Sequence, residues 1–236
     1  MTDHDPSDPS TQAAAGPPLD EAELRRRLGR LAGRTLGELA SGAGLRVPAD
    51  LRRDKGWVGL LFERLLGASS GSRAEPDFPA LGIELKSLPV GPQGRPLEST
   101  FVASLDLGAP PRWEESPVRH KLARVAWLIV QADRATPLAA RRVGASLFWS
   151  PSAEEEAALR RDYEELVELI DAGFGARITG HRGAVLQLRP KGARGSSLRW
   201  GRDEDGAEIR TAPRAFYLRS SFTAAMLARH FQLPGP

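Results

Sequence analysis

Residues 75–88 have the sequence EPDFPALGIELKSL, and this stretch decides the fold around it. In an extended strand, successive side chains point to opposite faces. Ile83 and Leu85 then face the core together, whereas Glu84 and Lys86 lie side by side on the other face. Asp77 lies just upstream, where the chain enters the strand. The segment therefore predicts two carboxylates and one ammonium group beside a hydrophobic strand.

These groups are the ones that hydrolysis of a phosphodiester bond requires. Mg²⁺ prefers oxygen ligands, and two carboxylates are a usual protein contribution. We predict Asp77 and Glu84 as ligands of Mg²⁺, with the backbone carbonyl of Leu85 as a further oxygen. Lys86 would orient or deprotonate the attacking water, or stabilise the charge of the transition state, and the sequence leaves this choice open. The alternative is a chance pattern on a solvated strand.

A further acidic residue lies in the apolar stretch WVGLLFERLL, residues 57–66, whose spacing predicts a largely buried helix. A lone carboxylate there is costly unless it is used or paired. Glu63 is therefore either part of the same acidic site or the partner of a lysine or arginine in an ion pair.

The rest of the chain is predicted to alternate between helices and strands. Further helices are predicted after the caps Asp20, Thr35 (with Glu38), Ser152 (with Glu155, through Ala172) and Ser221. Strands are predicted at 81–89, 98–107, 124–131, 146–149, 185–189 and 215–219. This mixed order favours an α/β fold with a mixed central β-sheet flanked by helices.

Three segments are predicted to lack regular structure. Residues 1–18 are rich in Pro, Ser, Asp and Ala, which predicts a flexible N-terminal tail. Residues 67–74 are small and predict a loop, and residues 192–212 predict an irregular, mobile one. Residues 19–236 are expected to form the functional domain, with two lobes around a cleft for DNA.

Composition excludes several classes of protein. There are no cysteines, so disulfides, thiolate catalysis and iron–sulfur clusters are excluded. The four histidines (His4, His120, His181 and His230) are scattered, which argues against a zinc site. No segment is apolar enough for a membrane span, and no signal peptide is visible, so we expect a cytoplasmic protein. The net charge of +3 weakly favours a polyanionic partner such as nucleic acid.

The order of short motifs resembles that of the MutH family, endonucleases of DNA mismatch repair that are related to GATC-cutting restriction enzymes. The first motifs are TLGELA (35–40), RDKGWVG (53–59), Glu63 with LGAS (66–69), DF (77–78) and LGIELK (81–86). They are followed by GRPLESTFV (94–102), VRHKL (118–122), LAARRVG (138–144), LQLRPK (186–191), PRAFYL (213–218) and ARHF (228–231). The resemblance covers roughly residues 20–232, and it is loose between residues 192 and 210.

The resemblance implies a restriction-endonuclease-like fold and a monomer. It also implies Mg²⁺-dependent nicking of the unmethylated strand at hemimethylated GATC sites in double-stranded DNA. A MutL-type ATPase would stimulate the reaction after MutS has found a mismatch. In this family's pattern Asp77, Glu84 and Lys86 match the catalytic motif. Glu63 matches an additional active-site acid, and Lys121 matches a lysine linked to catalysis and DNA contact.

The later motifs match the region of the family's sequence that recognises DNA. The matching residues of this chain are Arg189, Pro190, Lys191 and Tyr217. From the residues themselves, Arg189 is suited to guanine, and Lys191, Lys121 and Lys55 are suited to phosphates. Tyr217 is suited to packing on a base edge, where it would leave too little room for an N6-methyl group. The resemblance implies that this base is the adenine whose methylation is sensed. The alternatives are solvated basic side chains and a core tyrosine ring.

Two other functions compete with a mismatch-repair nickase. A stand-alone GATC restriction enzyme would cut both strands, whereas a single active site in 236 residues favours nicking. A non-enzymatic DNA-binding module would leave Glu84 and Lys86 unexplained.

Overall fold

The computed structural model describes residues 15–51, 53–69, 75–105, 107–133, 135–191 and 198–232. Within these ranges the chain forms six α-helices and eight β-strands. The helices are α1 (Glu21–Leu31), α2 (Leu36–Gly42), α3 (Trp57–Leu66), α4 (Pro117–Leu122), α5 (Ala153–Asp171) and α6 (Ser220–Phe231). The strands are β1 (Glu84–Val90), β2 (Thr100–Leu105), β3 (Val125–Gln131), β4 (Val143–Trp149), β5 (Leu186–Pro190), β6 (Arg199–Arg202), β7 (Glu208–Thr211) and β8 (Arg214–Leu218). The mixed order confirms the predicted α/β class.

The chain divides into two compact units. The first comprises Met1–Arg95 and Ala126–Phe148, and the second comprises Pro96–Val125 and Trp149–Pro236. Strands of the first unit are ordered β1-β3-β4, so β1 lies at an edge of that sheet. Strands of the second unit are ordered β2-β8-β5, and β6 and β7 pair separately. The predicted cleft between two lobes stays a prediction.

The helices of the first unit begin where the sequence provides caps. Asp20 Oδ1 accepts a hydrogen bond of 2.7 Å from the Glu23 backbone N–H at the start of α1. Thr35 and Glu38 form the predicted capping box of α2. The α3 helix packs against β1 and contributes Leu61, Phe62 and Leu66 to the core, which also holds Leu24, Leu28, Leu36, Leu39, Ile83, Leu85, Ala126 and Leu128.

The second unit is built on an antiparallel sheet that α5 covers on one face. Ser152 and Glu155 form the predicted capping box of α5. Tyr163 of this helix packs on Phe216 of β8, with ring centroids 5.0 Å apart. The Tyr163 hydroxyl donates a 2.7 Å hydrogen bond to the Pro111 carbonyl. This face of the sheet is therefore core, and the opposite face is left for other contacts.

Three sequence predictions about local structure need correction, and one helix was not predicted. The strand predicted from residue 81 begins at Glu84, because Pro79–Leu81 form a 3-10 turn that ends at Gly82 in the left-handed region (φ 64°). The strand predicted at 146–149 already begins at Val143. The last helix begins at Ser220, so Ser221 is not its cap; Arg219 is at the cap position and makes no side-chain capping bond. The helix α4, capped by Ser116, was not predicted.

The prediction of an irregular loop over residues 192–212 is wrong for its second half. Strands β6 and β7 form an antiparallel hairpin there, with Trp200 opposite Arg210. Polar and charged residues dominate both strands, so the sequence lacks the apolar–polar alternation that would have predicted them. Residues 192–197 lie outside the described residues, as do residues 1–14 of the predicted tail and residues 70–74 of the predicted small-residue loop. Among the described residues, no helix combines the length and the apolarity that crossing a bilayer requires.

Candidate active site and DNA-facing sheet

Asp77 is held against strand β1 by a tight reversal of the chain. Phe78 and Ile83 exchange backbone hydrogen bonds of 2.9 Å and 3.3 Å, and the left-handed Gly82 closes the turn between them. This reversal brings Asp77 back beside the strand, where its Oδ2 accepts a 2.9 Å hydrogen bond from the Leu85 backbone N–H. The predicted proximity of Asp77 to the strand therefore has a specific geometric cause.

Glu84 and Lys86 form a buried ion pair on β1. Lys86 Nζ lies 2.7 Å from Glu84 Oε1, as expected for residues two positions apart on one face of a strand. Glu84 is 3% exposed, Lys86 is 8% exposed and Asp77 is 5% exposed. The alternative of a chance pattern on a solvated strand does not describe these residues. Burying three charged groups costs free energy of desolvation, so a need for stability does not explain their burial.

The edge position of β1 determines what lies beside Asp77. In extended backbone, the N–H and C=O of one residue point to the same edge of the strand. Since the Leu85 N–H points to Asp77, the Leu85 carbonyl lies on that edge as well. The carboxylate of Asp77 and the carbonyl of Leu85 are therefore on the side of β1 that faces away from β3.

The remaining predicted residues of the first unit lie around α3. Glu63 is half-buried on this helix, and its Oε1 lies 3.8 Å from the place where a Cβ at Gly59 would be. Its side chain is thus directed back along the helix toward the preceding turn. Lys55 is exposed in the turn that precedes α3.

Metal-binding capacity in the first unit comes from few side chains. In the described ranges, no group of three or more His, Cys, Asp or Glu side chains comes together as a candidate metal site. The oxygen donors beside β1 that could hold a metal ion are the carboxylates of Asp77 and Glu84 and the Leu85 carbonyl. Hard oxygen donors of this kind fit Mg²⁺, which commonly takes one or two carboxylates and keeps several waters.

The predicted DNA-contacting residues of the second unit lie on one sheet. Tyr217 of β8 is opposite Phe101 of β2 and opposite Gln187 of β5, so all three share the face that α5 does not cover. The rings of Tyr217 and Phe101 are 5.6 Å apart, edge to face. The Arg189 guanidinium lies 5.6 Å from the Tyr217 ring.

Lys191 extends this face beyond the end of β5. Its Nζ donates a 2.7 Å hydrogen bond to Ser104 Oγ and lies 4.4 Å from the centroid of the Phe101 ring. Pro190 and Arg189 beside it are exposed. Arg189, Lys191 and Tyr217, which are separated by up to 28 positions in sequence, are thus collected on one surface. Pro190 is opposite Arg214 and belongs to the other face of β5. Lys121 is half-buried on α4 in the same unit.

Electrostatics on this face follow from partial burial. Burial raises the pKa of the Tyr217 hydroxyl above its ordinary value, while the nearby charge of Arg189 acts in the opposite direction. Partial desolvation lowers the pKa of the Lys191 ammonium. The tyrosine therefore stays protonated and neutral at physiological pH, beside cations suited to an anionic ligand.

Sequence reasoning missed three residues of this face, namely Phe101, Ser104 and Gln187. Gln187 Nε2 donates a 2.6 Å hydrogen bond to Ser99 Oγ, which links β5 to the start of β2. Phe101 is 37% exposed, an uncommon position for a phenylalanine in a strand. Phe101 and Ser104 reach this face through the pairing of β2 with β8, which joins positions more than 100 apart, and Gln187 reaches it through the pairing of β5 with β8. No local signal in the sequence could have found these pairings.

A mixed α/β fold with Asp, Glu and Lys side chains assembled beside an edge strand is typical of restriction-endonuclease-like nucleases, and the protein is of this class. A family model described as DNA mismatch repair enzyme MutH matches residues 66–162. A DNA mismatch repair protein MutH of Serratia proteamaculans is 56% identical over 217 residues, covering 91% of this chain and 95% of the relative.

Two further relatives carry the same name. That of Yersinia enterocolitica is 56% identical over 219 residues, covering 92% of this chain and 96% of the relative. That of Klebsiella pneumoniae is 53% identical over 227 residues, covering 95% and 98%. The chain therefore belongs to the MutH family, as its motifs predicted. It is a DNA-cleaving hydrolase, an endonuclease of DNA mismatch repair.

Proposed function

We propose that this endonuclease nicks the unmethylated strand of DNA at hemimethylated GATC sites and uses Mg²⁺ to do so. The observation that carries the proposal is the group formed by Asp77, Glu84 and Lys86. These residues place two carboxylates and an ammonium out of bulk water around one edge strand. Buried charges at this density are costly, and catalysis of phosphodiester hydrolysis accounts for their retention.

Asp77, Glu84 and the Leu85 carbonyl would hold the metal ion. When bound, Mg²⁺ supplies charge stabilisation at the phosphoryl oxygens and a water of lowered pKa. Asp77 has a second task, because its hydrogen bond to the Leu85 N–H fixes the edge of β1. Glu84 keeps the Lys86 ammonium 2.7 Å away and thus orients it.

Lys86 acts on the attacking water or on the transition state. Its ammonium can donate hydrogen bonds to a phosphate oxygen as negative charge develops there, and in neutral form it could accept a proton from water. Both roles require the side chain to stay on the Glu84 face of β1. By the family pattern, Glu63 is assigned as an additional acid of the site and Lys121 as a contact to DNA near it.

Recognition of the GATC sequence is assigned to the uncovered face of the β2-β8-β5 sheet. Arg189 can donate two hydrogen bonds to a guanine edge, whereas Lys191 and Lys55 suit phosphates. Pro190 would restrict the backbone beside Arg189 and so fix the direction of that side chain. Tyr217, packed on Phe101, has a fixed ring that would leave little room for an N6-methyl group on adenine.

Partners of the enzyme follow from its family. A MutL-type ATPase is proposed to stimulate cleavage, with MutS acting through it, and the enzyme is proposed to act as a monomer. A single set of Asp77, Glu84 and Lys86 in the chain accounts for cleavage of one strand at a time.

A plasmid assay tests this function directly. Plasmids with one GATC site in the unmethylated, hemimethylated and fully methylated states are incubated with the full-length protein, with Mg²⁺ or EDTA, and with or without a MutL-type ATPase. Open-circular product from hemimethylated DNA, cut in the unmethylated strand, is the expected result. Linear product without any partner would instead support a stand-alone restriction enzyme.

Matched variants connect the activity to the site. Glu84→Gln is expected to bind DNA without nicking it. Glu165→Gln changes the same charge at an exposed residue of α5, where Glu165 faces Arg182 at 3.5 Å, and is expected to nick at the wild-type rate. Turnover by purified Glu84→Gln protein would reject the assignment of Glu84 to the metal.

A further inference from the structure

The β6–β7 hairpin presents an exposed aromatic and basic face. Trp200 is opposite Arg210 in the hairpin, and the Arg210 guanidinium lies 4.8 Å from the centroid of the indole. Trp200 is nevertheless 56% exposed, and Leu198 beside it is 42% exposed. A large exposed aromatic ring next to arginine is a frequent feature of binding surfaces.

The opposite face of the hairpin is fixed to the body of the second unit. Gly201 points away from the Trp200 face, and a Cβ built on it would lie 3.6 Å from Leu107 Cβ. Leu107 in turn packs beside Ile170, because a Cβ at Gly175 would lie 3.5 Å from atoms of both. The Gly201 face is therefore turned toward the C-terminal end of α5, and Trp200 is turned away from it.

Charge is separated along the hairpin. Its turn is acidic (Asp203, Glu204, Asp205) and is held at the end of α5 by an ion pair of 2.7 Å between Glu204 and Arg177. Close contact with Gly173 adds to this anchor, since a Cβ there would lie 2.1 Å from the Asp203 carbonyl oxygen. Next to the turn, Arg202 is opposite Glu208, so their charges offset each other.

The basic end of the hairpin adjoins the proposed DNA-binding face. β7 ends at Thr211, and two residues further on the Pro213 carbonyl accepts a 2.7 Å hydrogen bond from the Lys191 backbone N–H. The Tyr217 face of the sheet is turned away from α5, because Tyr163 of that helix packs on the other side against Phe216. The Trp200 face is also turned away from α5. Both surfaces are thus turned away from α5, and the open end of the hairpin lies two residues from the Pro213 carbonyl that Lys191 contacts.

We propose that Trp200 and Arg210 bind the sugar–phosphate backbone of DNA beside the recognition sequence. This inference rests on the proposed function and extends its binding face to the hairpin. Arg210 would contact a phosphate, and the indole would pack on a deoxyribose, a surface that is apolar and present at every nucleotide. Such contacts hold the duplex without specifying its sequence.

The test compares DNA affinity across variants of the full chain. Dissociation constants are measured by fluorescence anisotropy with a labelled duplex that contains GATC and with a duplex of equal length that lacks it. Trp200→Ala is expected to weaken binding of both duplexes by about five- to tenfold. Trp200→Phe keeps an aromatic ring and is expected to stay within about twofold of wild type. Arg210→Gln is expected to reduce the salt slope of log K by about 0.9.

A charge-matched control is available on α5. Arg160 is an exposed arginine of α5 that pairs with Glu164 at 2.7 Å, so Arg160→Gln is expected to leave both dissociation constants and the salt slope unchanged. Wild-type affinities in Trp200→Ala and Arg210→Gln would overturn the inference, as would a loss confined to the GATC duplex. Normal DNA binding combined with a lost response to a MutL-type ATPase would also overturn it, because the hairpin would then contact a protein. If wild-type protein binds DNA but never nicks GATC, the proposed function fails separately.

Discussion

Replacing Lys86 with methionine tests whether the buried Lys86–Glu84 pair is retained for catalysis or for stability. The Lys86 and Glu84 side chains are 9% and 4% exposed, with 2.7 Å between Nζ and Oε1. Removing one member of such a pair costs about 3–5 kcal/mol, because the remaining charge loses its counter-charge but stays out of water. At about 2–4 °C per kcal/mol for a chain of this size, the lower figure corresponds to a fall in Tm of about 6–12 °C.

A double-mutant cycle turns this into a sharp test. Glu84→Gln/Lys86→Met replaces the pair by neutral groups of similar size and is expected to recover stability to within about 1 kcal/mol of wild type, while remaining inactive. Stabilities come from urea unfolding followed by circular dichroism, and activity comes from the nicking assay. Arg182→Met at the exposed Arg182–Glu165 pair is the control and should cost less than about 1 kcal/mol. A Lys86→Met protein as stable as wild type, or an active double variant, would refute the reasoning.

Three further predictions concern the edge of β1, a core tyrosine and the DNA face. Asp77→Asn is expected to abolish nicking but to keep Tm within about 4 °C of wild type, because the amide oxygen can still accept from the Leu85 N–H; unfolding of this variant at room temperature would contradict that. Burial raises the pKa of Tyr163 to about 12, so its stabilising contribution is complete below pH ~10 and is lost as pH rises through the folded-state value. The free energy of unfolding should therefore fall by about 2–3 kcal/mol between these two pH values in the wild-type protein, and by clearly less in Tyr163→Phe. Equal pH profiles of stability for the two proteins would contradict this contribution of Tyr163. Tyr217→Ala and Tyr217→Phe are expected to nick methylated and unmethylated strands more equally, and unchanged strand choice would remove this residue from recognition.

Local sequence signals were sufficient to predict most helices and the placement of Asp77, Glu84 and Lys86 beside one strand. The caps of α1, α2 and α5 act within three or four residues, and the apolar spacing of α3 is visible in its own sequence. The Asp77–Leu85 contact spans eight residues and follows from one glycine turn. A pattern of period two likewise placed Glu84 beside Lys86.

Long-range pairing produced the features that the sequence did not predict. Phe101 and Ser104 join the proposed DNA-binding face through the pairing of β2 with β8. In the β6–β7 hairpin, Gly201 lies close to Leu107 and Glu204 pairs with Arg177, and neither neighbour is evident from the polar sequence of the two strands. Strand pairing and contacts of this kind depend on residues far apart in the sequence. The strand propensity of a short segment therefore does not predict them.

Asp77 and Glu84 are proposed to share a divalent ion at the scissile phosphate. Anomalous diffraction from a crystal of the protein with GATC duplex and Mn²⁺ would locate this ion, because manganese scatters anomalously and takes the same oxygen ligands as Mg²⁺. We expect a peak about 2.1 Å from a carboxylate oxygen of each residue and in contact with a phosphate oxygen. A peak bound elsewhere, with Asp77 and Glu84 making no contact to the ion in the DNA complex, would contradict it.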